Sequence, residues 1–468
     1  NDQRAFPKLV IATTAAMFRD FEARYGDKLP SARGDFTPYW EDGAASSARE
    51  TALNRAAAER LVQAETLFAL FNRRAYPLGD FYTTWRNVVL YDEHTWGAHN
   101  SISEPDHPFV KSQWSIKQAN ALEADRQSRE LLVAANSSRG PGAPTPEDTP
   151  ADVIDVVNTT GFELPSALAV VPAEWSGRGD AVSISPKREA DTLVSQRLTS
   201  GELVFRSSLS PFTTARFYVT RGAPAKAPND FPAARVQGLT LSAPRSSLAP
   251  AITLRVDEKT GAIASLVYGG RELVNGQAPT ALNDYFYLPG SDLKNLQRNG
   301  AVRISAKETG PLIASLLVES EAPGCRRLTR EIRLHALRNY VEVINRLDKT
   351  PVRAKEGVHF GFGFDVPGGV VRMDIPWAVV RPEADQLPGA CKNWFTVQRW
   401  VDISNEDFGV TWVTPDAPLV QIGAITANLI GSLPDTRHWL DHLEPSPTLY
   451  SWAMNNHWGT NYRAYQEG

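Results

Sequence analysis

The spacing of apolar residues changes character along the chain, and each change marks a different kind of element. Between residues 46 and 137 it follows a helical period. "SSARETALNRAAAERLVQAETLFALFN" sets Leu53, Ala57, Leu61, Ala64, Phe68 and Phe71 on one stripe. Ser46 or Ser47 can cap this helix, and Glu50 is placed for a capping box. "LGDFYTTWRNVVLYDEHTW" aligns Phe81, Trp85, Val88 and Val89 in the same way. "PFVKSQWSIKQANALEADRQSRELLVAA" carries Pro108 in its first turn and aligns Trp114, Lys117, Ala121, Ala124 and Leu131. Long amphipathic helices joined by short connections predict an antiparallel three-helix bundle over 46–137.

On either side the pattern differs. "KLVIAT" is a short apolar run of the kind buried in a parallel sheet, and "TAAMFRDFEARYG" reads as a helix closed by Gly26. One strand and one helix cannot bury themselves, so 1–45 reads as a short piece of an α/β domain. "NSSRGPGAPTPEDTP", 136–150, is a linker crowded with Pro, Gly and Ser. After it, "ADVIDVVNTTGFELPSALAVV", "AVSISP", "ELVFRSSL" and "ARFYVT" are short β-rich runs separated by turn residues, predicting a small β-sandwich over 138–225. A second linker, "RGAPAKAPND", leads into a longer β region, 226–468. There "ITLRVDEKTGAIASLVYGGREL" predicts a hairpin about an Asp-Glu-Lys-Thr-Gly turn, and "RLTREIRLHALRNYVEVINRLDK" predicts two further strands. No short internal repeat is present, which argues against a propeller or solenoid. The predicted architecture is multidomain α+β.

A length of 468 residues suits several cores rather than one. The net charge is −4 and the basic residues are scattered, unlike the clustered Lys and Arg that neutralise phosphates, so no nucleic-acid partner is expected. No apolar run approaches the ~20 residues of a membrane span. The opening "NDQRAFPKLVIATTAAMF" lacks the basic start and long apolar run of a secretory signal, and a chain opening on Asn1 rather than Met is expected to be part of a longer protein. Cys325 and Cys391 make no disulfide framework; a pair of buried thiols is the expectation, with one bridge as the alternative. Twelve Trp and 13 Tyr supply core residues and, for some, faces suited to stacking on sugar rings.

The densest titratable chemistry lies in "LYDEHTWGAHNSISEPDHPF", 90–109. His94 falls at the end of the second helix, where Gly97 can stop it. A neutral imidazole there serves either as a metal ligand beside carboxylates or as an ordinary hydrogen-bond partner at a helix end. No His-Glu-x-x-His spacing or Cys pair is present. Asp106 is placed to cap the third helix before Pro108. Near the end, "MNNHWGTNY" sets Asn455, Asn456, His457 and Trp458 together, combining amides with an aromatic face as sugar sites do; a strand end with satisfied amides reads the same way.

These segments resemble glycoside hydrolase family 38, the α-mannosidases. "VVLYDEHTWG" is similar to the family's helix ending in a zinc-binding His followed by Gly, with His94 on the metal-binding position. "SARGDFTPYWEDGAASSARETALNR" looks like its Gly-Asp-Phe segment, its Tyr-Trp pair and a helix opening with Ser-Arg. "WAMNNHWGTNYRAYQEG" is similar to the family's late Asn-Tyr/His-Trp, Thr-Asn and Gln-Glu-Gly segment. The resemblance implies that 1–45 is the end of a catalytic barrel and that 226–468 is a large super-sandwich of the galactose-mutarotase type. It implies a retaining α-mannosidase acting on mannose-containing glycans through two carboxylates, with zinc as cofactor and His94 as one ligand. It also implies substrate-binding roles for Trp40, Asp42, Thr95, Asn456 and Trp458. Trp40 would form an apolar wall under the sugar, or else serve as a core residue at the bundle edge, while Asp35 reads better as a turn residue in "RGDF".

Two departures qualify this. The family's Asp after the zinc histidine is Thr95 here, which can bond a hydroxyl but carries no charge. The family's His-x-Asp zinc pair and its nucleophile belong to the barrel, and no His-x-Asp occurs among the eight histidines of this chain. No catalytic residue is therefore assigned within it; the nucleophile is expected upstream, on the missing N-terminal barrel. The chain alone is expected to be inactive and to bind zinc weakly, since one imidazole cannot build a tetrahedral shell. The contrasting reading is a non-catalytic carbohydrate-binding or scaffolding protein. A third takes the large β region as an independent sugar enzyme using His335, His359 and Glu356. A homo-oligomer is compatible with either of the first two. The Ala- and Arg-rich composition fits a bacterial source, periplasmic or cytoplasmic, without a membrane anchor.

Overall fold

The computed structural model describes residues 10–35, 41, 43–93, 104–138, 153–176, 179–184, 192–220, 222–426 and 439–456. Ahead of the β region its α-helices are α1 (Thr14–Tyr25), α2 (Gly43–Ser46), α3 (Ala48–Phe71), α4 (Leu78–Tyr91) and α5 (Pro108–Ser137). Helix α1 starts at Thr13, whose hydroxyl accepts from the Ala16 amide at 3.2 Å. Val10 to Thr13 form no strand, so the part of "KLVIAT" that is described departs from the expected pattern. No residue of α1 is buried, and Met17, Phe18, Phe21 and Tyr25 are exposed.

Helices α3, α4 and α5 share one core, built from Ala57, Leu61, Ala64, Phe68, Phe81, Val88, Ala124, Leu131 and Ala135. The buried stripe of α3 begins further toward its N-terminus than the apolar pattern implies, because Glu50, Thr51 and Asn54 are buried as well. Glu50 makes no capping box; it accepts from the Gln118 amide at 2.8 Å. Ser47 precedes α3 without a side-chain cap and bonds the Tyr91 hydroxyl at 2.8 Å instead. In α4 the buried set is Phe81, Thr84, Val88 and Tyr91, while Val89 faces solvent. His107 rather than Asp106 caps α5, its Nδ1 accepting from the Phe109 amide at 3.1 Å. Asp106 is drawn off by Arg353 at 3.0 Å and Lys111 at 3.3 Å. Two nearby cations hold its carboxyl below the usual range.

The β region opens with β1 (Val153–Val157), β2 (Leu164–Val171), β3 (Ala181–Ser183), β4 (Thr192–Leu193), β5 (Ser195–Arg197), β6 (Leu203–Leu209) and β7 (Thr214–Thr220). They form one sheet of order β1-β7-β3-β4 and another of order β2-β6-β5. Ala169, Val171, Val182, Leu203, Phe205, Phe217 and Val219 fill the space between them.

The larger β region continues with β8 (Arg235–Gln237), β9 (Thr240–Ala243), β10 (Ile252–Val256), β11 (Ile263–Tyr268), β12 (Arg271–Glu272) and β13 (Leu282–Pro289). Strands β14 (Val302–Thr309), β15 (Ile313–Ala322), β16 (Cys325–His335) and β17 (Val341–Lys349) form an antiparallel meander. Then follow β18 (Glu356–Gly363), β19 (Val370–Ile375), β20 (Ala378–Val380), β21 (Phe395–Thr396), β22 (Trp400–Ser404), β23 (Gly409–Val413), β24 (Leu419–Ile422) and β25 (Thr448–Asn455). The main sheet runs β21-β24-β25-β18-β13-β11-β10-β9-β8, with β12 paired to β11. One continuous core joins this sheet (Leu254, Tyr285, Phe360) to the meander (Leu316, Val318, Ile332) and to the β20-β19-β22-β23 sheet (Met373, Val401, Ile403). Cys325 is half-buried and Cys391 buried.

The β10–β11 hairpin shows why its turn residues are where they are. Asp257 accepts from the Lys259 and Thr260 amides at 2.9 and 2.8 Å, and the Thr260 bond leads in holding its carboxyl below the ordinary range. Gly261 follows at φ +70°, and a Cβ there would sit 2.4 Å from Val318 Cγ1 and 2.6 Å from Arg330 Nη2. Gly261→Ala is expected to destabilise this region by about 2–3 kcal/mol, since strain and overpacking add. Gly276→Ala, with open space around it, should change stability by less than about 0.5 kcal/mol. Hydrogen exchange of the β10 and β11 amides in the two variants side by side checks the pair; equal small changes in protection would refute the packing argument.

The helices are anchored to the large β region by Arg55. Its guanidinium donates to the carbonyls of Pro415 at 2.7 Å, Gln398 at 2.5 Å and Thr414 at 3.1 Å. Burial, then the nearby Arg399, pulls its pKa down to about 10, so it stays charged at neutral pH. Glu59 pairs with Arg399 beside it.

Candidate functional site

The end of α4, short helix α2, the last residues of β25 and the 350–356 loop come together through side chains distant in sequence. The Tyr91 hydroxyl is held by Ser47 Oγ at 2.8 Å and Thr51 Oγ1 at 2.9 Å. Burial pushes the phenol up to about 12, so it serves as a neutral hydrogen-bonding strut. Asp92 closes α4 and accepts from Asn54 Nδ2 at 2.9 Å. Burial raises the Asp92 carboxyl against the lowering effect of that bond. Lys117 reaches across from α5, donating to the carbonyls of Leu90 at 3.2 Å and Glu93 at 2.6 Å. An ammonium on the last carbonyls of a helix is the arrangement its dipole favours. The backbone is thereby fixed up to Glu93.

On the opposite side, Ser46 Oγ donates to Asn455 Oδ1 at 2.6 Å, tying α2 to the end of β25. Ala45 packs with Cys391, Trp394, Leu419 and Trp452 on the face of the main sheet away from its large core. Glu41 is half-buried; burial raises its carboxyl and a bond to Thr396 opposes this. Glu41 was not among the expected site residues, although it lies between Trp40 and Asp42 and its charge was visible there; its burial was not. Asp35 joins the same region: its amide donates to the Asp385 carbonyl at 2.8 Å, and the Leu387 amide returns a bond to its own carbonyl at 2.9 Å.

Of the residues assigned to the site, His94, Thr95, Trp40, Asp42 and Trp458 lie outside the described residues, as do His99 and His457. Asn456 is described. Its Nδ2 donates to the carbonyls of Val352 at 2.6 Å and Ala354 at 3.0 Å, and its amide to the Glu356 carbonyl at 3.0 Å. The loop thus engages the side-chain nitrogen of Asn456. Asp106 fastens the same loop from the bundle side through Arg353. Asn456 therefore shapes the wall of the junction.

Among the described residues no group of three His, Cys, Asp or Glu side chains could hold a metal. Asp92 and Glu93, the carboxylates nearest His94 in sequence, are engaged by Asn54 and Lys117. The described donor set by itself does not fit a zinc centre. The constellation His335, His359 and Glu356 does not assemble either. His335 Nε2 lies 3.1 Å from Glu342 Oε2. Glu356 accepts from Lys349 at 2.6 Å and Tyr287 at 2.7 Å. His359 is fully buried with no partner at either ring nitrogen. No helix among the described residues is long and apolar enough to cross a membrane.

Solved structures share this architecture. One is an α-mannosidase from Enterococcus faecalis V583, similar at a TM-score of 0.60 and 12% sequence identity over 96% of this chain and 58% of that one. Another, from Enterococcus faecalis, is a protein in glycosyl hydrolase family 38, at a TM-score of 0.61 and 13% identity over the same shares. The chain therefore has the fold of these proteins along nearly its whole length and spans little more than half of theirs. No sequence-family profile matches the chain, and no curated protein matches it in sequence.

Proposed function

We propose that this chain is the C-terminal portion of a family 38-like retaining α-mannosidase and forms one side of its active site. The observation carrying the reading is the fold shared over 96% of the chain with an α-mannosidase. The junction adds support, since α4 delivers the segment carrying His94 and Thr95 while α2 and β25 border those carrying Trp40, Asp42 and Trp458. The uncovered apolar residues of α1 suit the packing of a further layer, the catalytic barrel.

In this reading the barrel contributes both carboxylates, about 5–5.5 Å apart as retention requires, one as nucleophile and one as acid/base. Zinc, when bound through His94 and ligands of the barrel, would grip sugar hydroxyls and favour ring distortion. The groups of this chain position and enclose. Trp40 and Trp458 offer aromatic faces, while Asp42 and Thr95 offer hydrogen bonds to hydroxyls. Asn456 acts indirectly by holding the 350–356 loop. Tyr91, Asn54 and Lys117 keep the end of α4 from fraying up to Glu93, the residue before His94 in sequence.

The test uses aryl α-mannoside hydrolysis by two purified proteins, this chain and the complete product of its reading frame. The chain alone is expected to show no turnover above background, and the complete protein to show turnover reduced at least about 100-fold by His94→Ala. Robust turnover by the chain alone would mean that the catalytic residues are misplaced. An inactive complete protein that still binds mannose would favour the carbohydrate-binding reading.

A further inference from the structure

The seam between the two sandwiches holds a second polar site, unrelated to the end of α4. In β6, Leu203 and Phe205 face the core of the small sandwich, whereas Val204 turns the other way and packs against Leu312 and Ile313 of the large one. Arg206 follows Val204 by two along the strand and shares its face. Only 8% of it is exposed. Its Nη1 donates to the Ser166 carbonyl at 2.8 Å, while Nε and Nη2 are buried without any hydrogen-bond partner.

The charged group set against Arg206 is another cation. Its electrostatic neighbours are Arg338 and Tyr340, on the turn joining β16 to β17, and no carboxylate is among them. Arg338 Nε is likewise buried and unpartnered, as is the hydroxyl of Ser166. Burial first, and Arg338 second, bring the Arg206 guanidinium down to about 10, which leaves it charged at neutral pH. Arg330, also deeply buried, is better met: it donates to the carbonyls of Asn283 and Thr260 and has Asp284 beside it, leaving only Nε without a hydrogen bond.

A buried guanidinium without a counter-charge is costly, and a second cation within electrostatic reach adds to the cost. The unmet groups on both arginines are N–H donors, and the Ser166 hydroxyl can donate too, so the complementary species is rich in acceptor oxygens and negatively charged. Guanidinium forks match a tetrahedral oxyanion in geometry as well as charge. We propose that Arg206 and Arg338, with Ser166, bind a phosphate- or sulfate-type oxyanion in the seam between the small and large sandwiches. The turn carrying Arg338 is half-buried and Tyr340 beside it is exposed, which gives the anion its side of approach. Bound there, it would neutralise both cations and tie the two sandwiches together.

The test is thermal unfolding of the purified chain, with isothermal titration calorimetry, in inorganic phosphate or sulfate against chloride at equal ionic strength. The expected result is a saturable rise in the wild-type midpoint that Arg338→Gln loses, with phosphate affinity at least about tenfold weaker. Arg338→Gln alters a half-buried turn and should keep its chloride midpoint. Arg206→Leu, which removes the unpaired charge, should be no less stable in chloride and equally blind to phosphate. General salting-out stabilises all three proteins alike and cancels in the comparison. Equal phosphate increments in wild type and both variants, or no calorimetric binding by wild type, would overturn the proposal.

Discussion

Trp452→Ala is expected to destabilise the large β region by about 4 kcal/mol, the usual scale for emptying a buried indole site. The side chain is fully buried in β25, in cross-strand register with His359 of β18. Their rings lie parallel, 6.2 Å between centroids at an interplanar angle of 3°. Trp394 meets the indole edge-on at 5.7 Å, and Ala45 of α2 packs into the same cluster. Truncation thus removes the surface on which α2 rests, three residues before the Asn455 that receives Ser46. In a protein of several domains, global unfolding is not one transition. The measurement is therefore hydrogen exchange of the β18 and β25 amides, supported by near-ultraviolet dichroism. Trp452→Phe should recover more than half of the loss. A protection change below about 1 kcal/mol for the alanine variant would show that the cluster does not carry the sheet.

The second large effect is a loss of stability in acid that depends on His359. Burial pulls this imidazole down to about 3, from an ordinary value of 6.5, and neither nitrogen has a partner. Below pH 6.5 the unfolded chain takes up a proton that the folded chain refuses until about pH 3. Stability therefore falls with pH through that window, by about 1.4 kcal/mol per unit and about 5 kcal/mol in total, and the group contributes no slope above it. The raised carboxyls of Asp284, Asp92 and Glu41 act in the opposite sense, because the folded chain protonates them first. Comparison of wild type with His359→Phe cancels those shared contributions and leaves the histidine alone. The variant keeps a ring against Trp452 and should unfold less readily at pH 4, with parallel curves above pH 7. At neutral pH it should be slightly more stable, since two buried unsatisfied nitrogens are gone. Identical acid profiles for the two proteins would show that the ring is protonated in the folded state or reached by water.

"GVHFGFG" and "TLYSWAMN" are recognisable as strand sequences, but their pairing joins residues about ninety positions apart, which no local pattern encodes. Asp106 illustrates the same limit at a helix start. Its position before Pro108 satisfies the local rule for a cap, and Arg353, far away in sequence, claims the carboxylate instead. The bonds from Asn456 to the carbonyls of Val352 and Ala354 likewise join residues about a hundred positions apart, which no local pattern encodes. The buried polar start of α3 was hidden because Glu50, Thr51 and Asn54 read as solvent-facing by hydropathy, whereas Gln118, Tyr91 and Asp92 bond Glu50, Thr51 and the Asn54 side-chain nitrogen from elsewhere in the bundle.

By itself the sequence determined what depends on neighbours a few residues apart: the 3.6-residue stripe of α3, the proline in the first turn of α5, and the Asp257 to Gly261 turn of the β10–β11 hairpin. Each follows from backbone geometry and short-range sterics, which act within a turn or two of chain. Tertiary structure alone decided which polar groups are met and which are left buried without a partner, as Arg206 Nε and Nη2 and Arg338 Nε are. Hydrogen-bond and charge partners are chosen by proximity in space, and burial sets the energy of leaving one unmet; a linear pattern contains neither quantity.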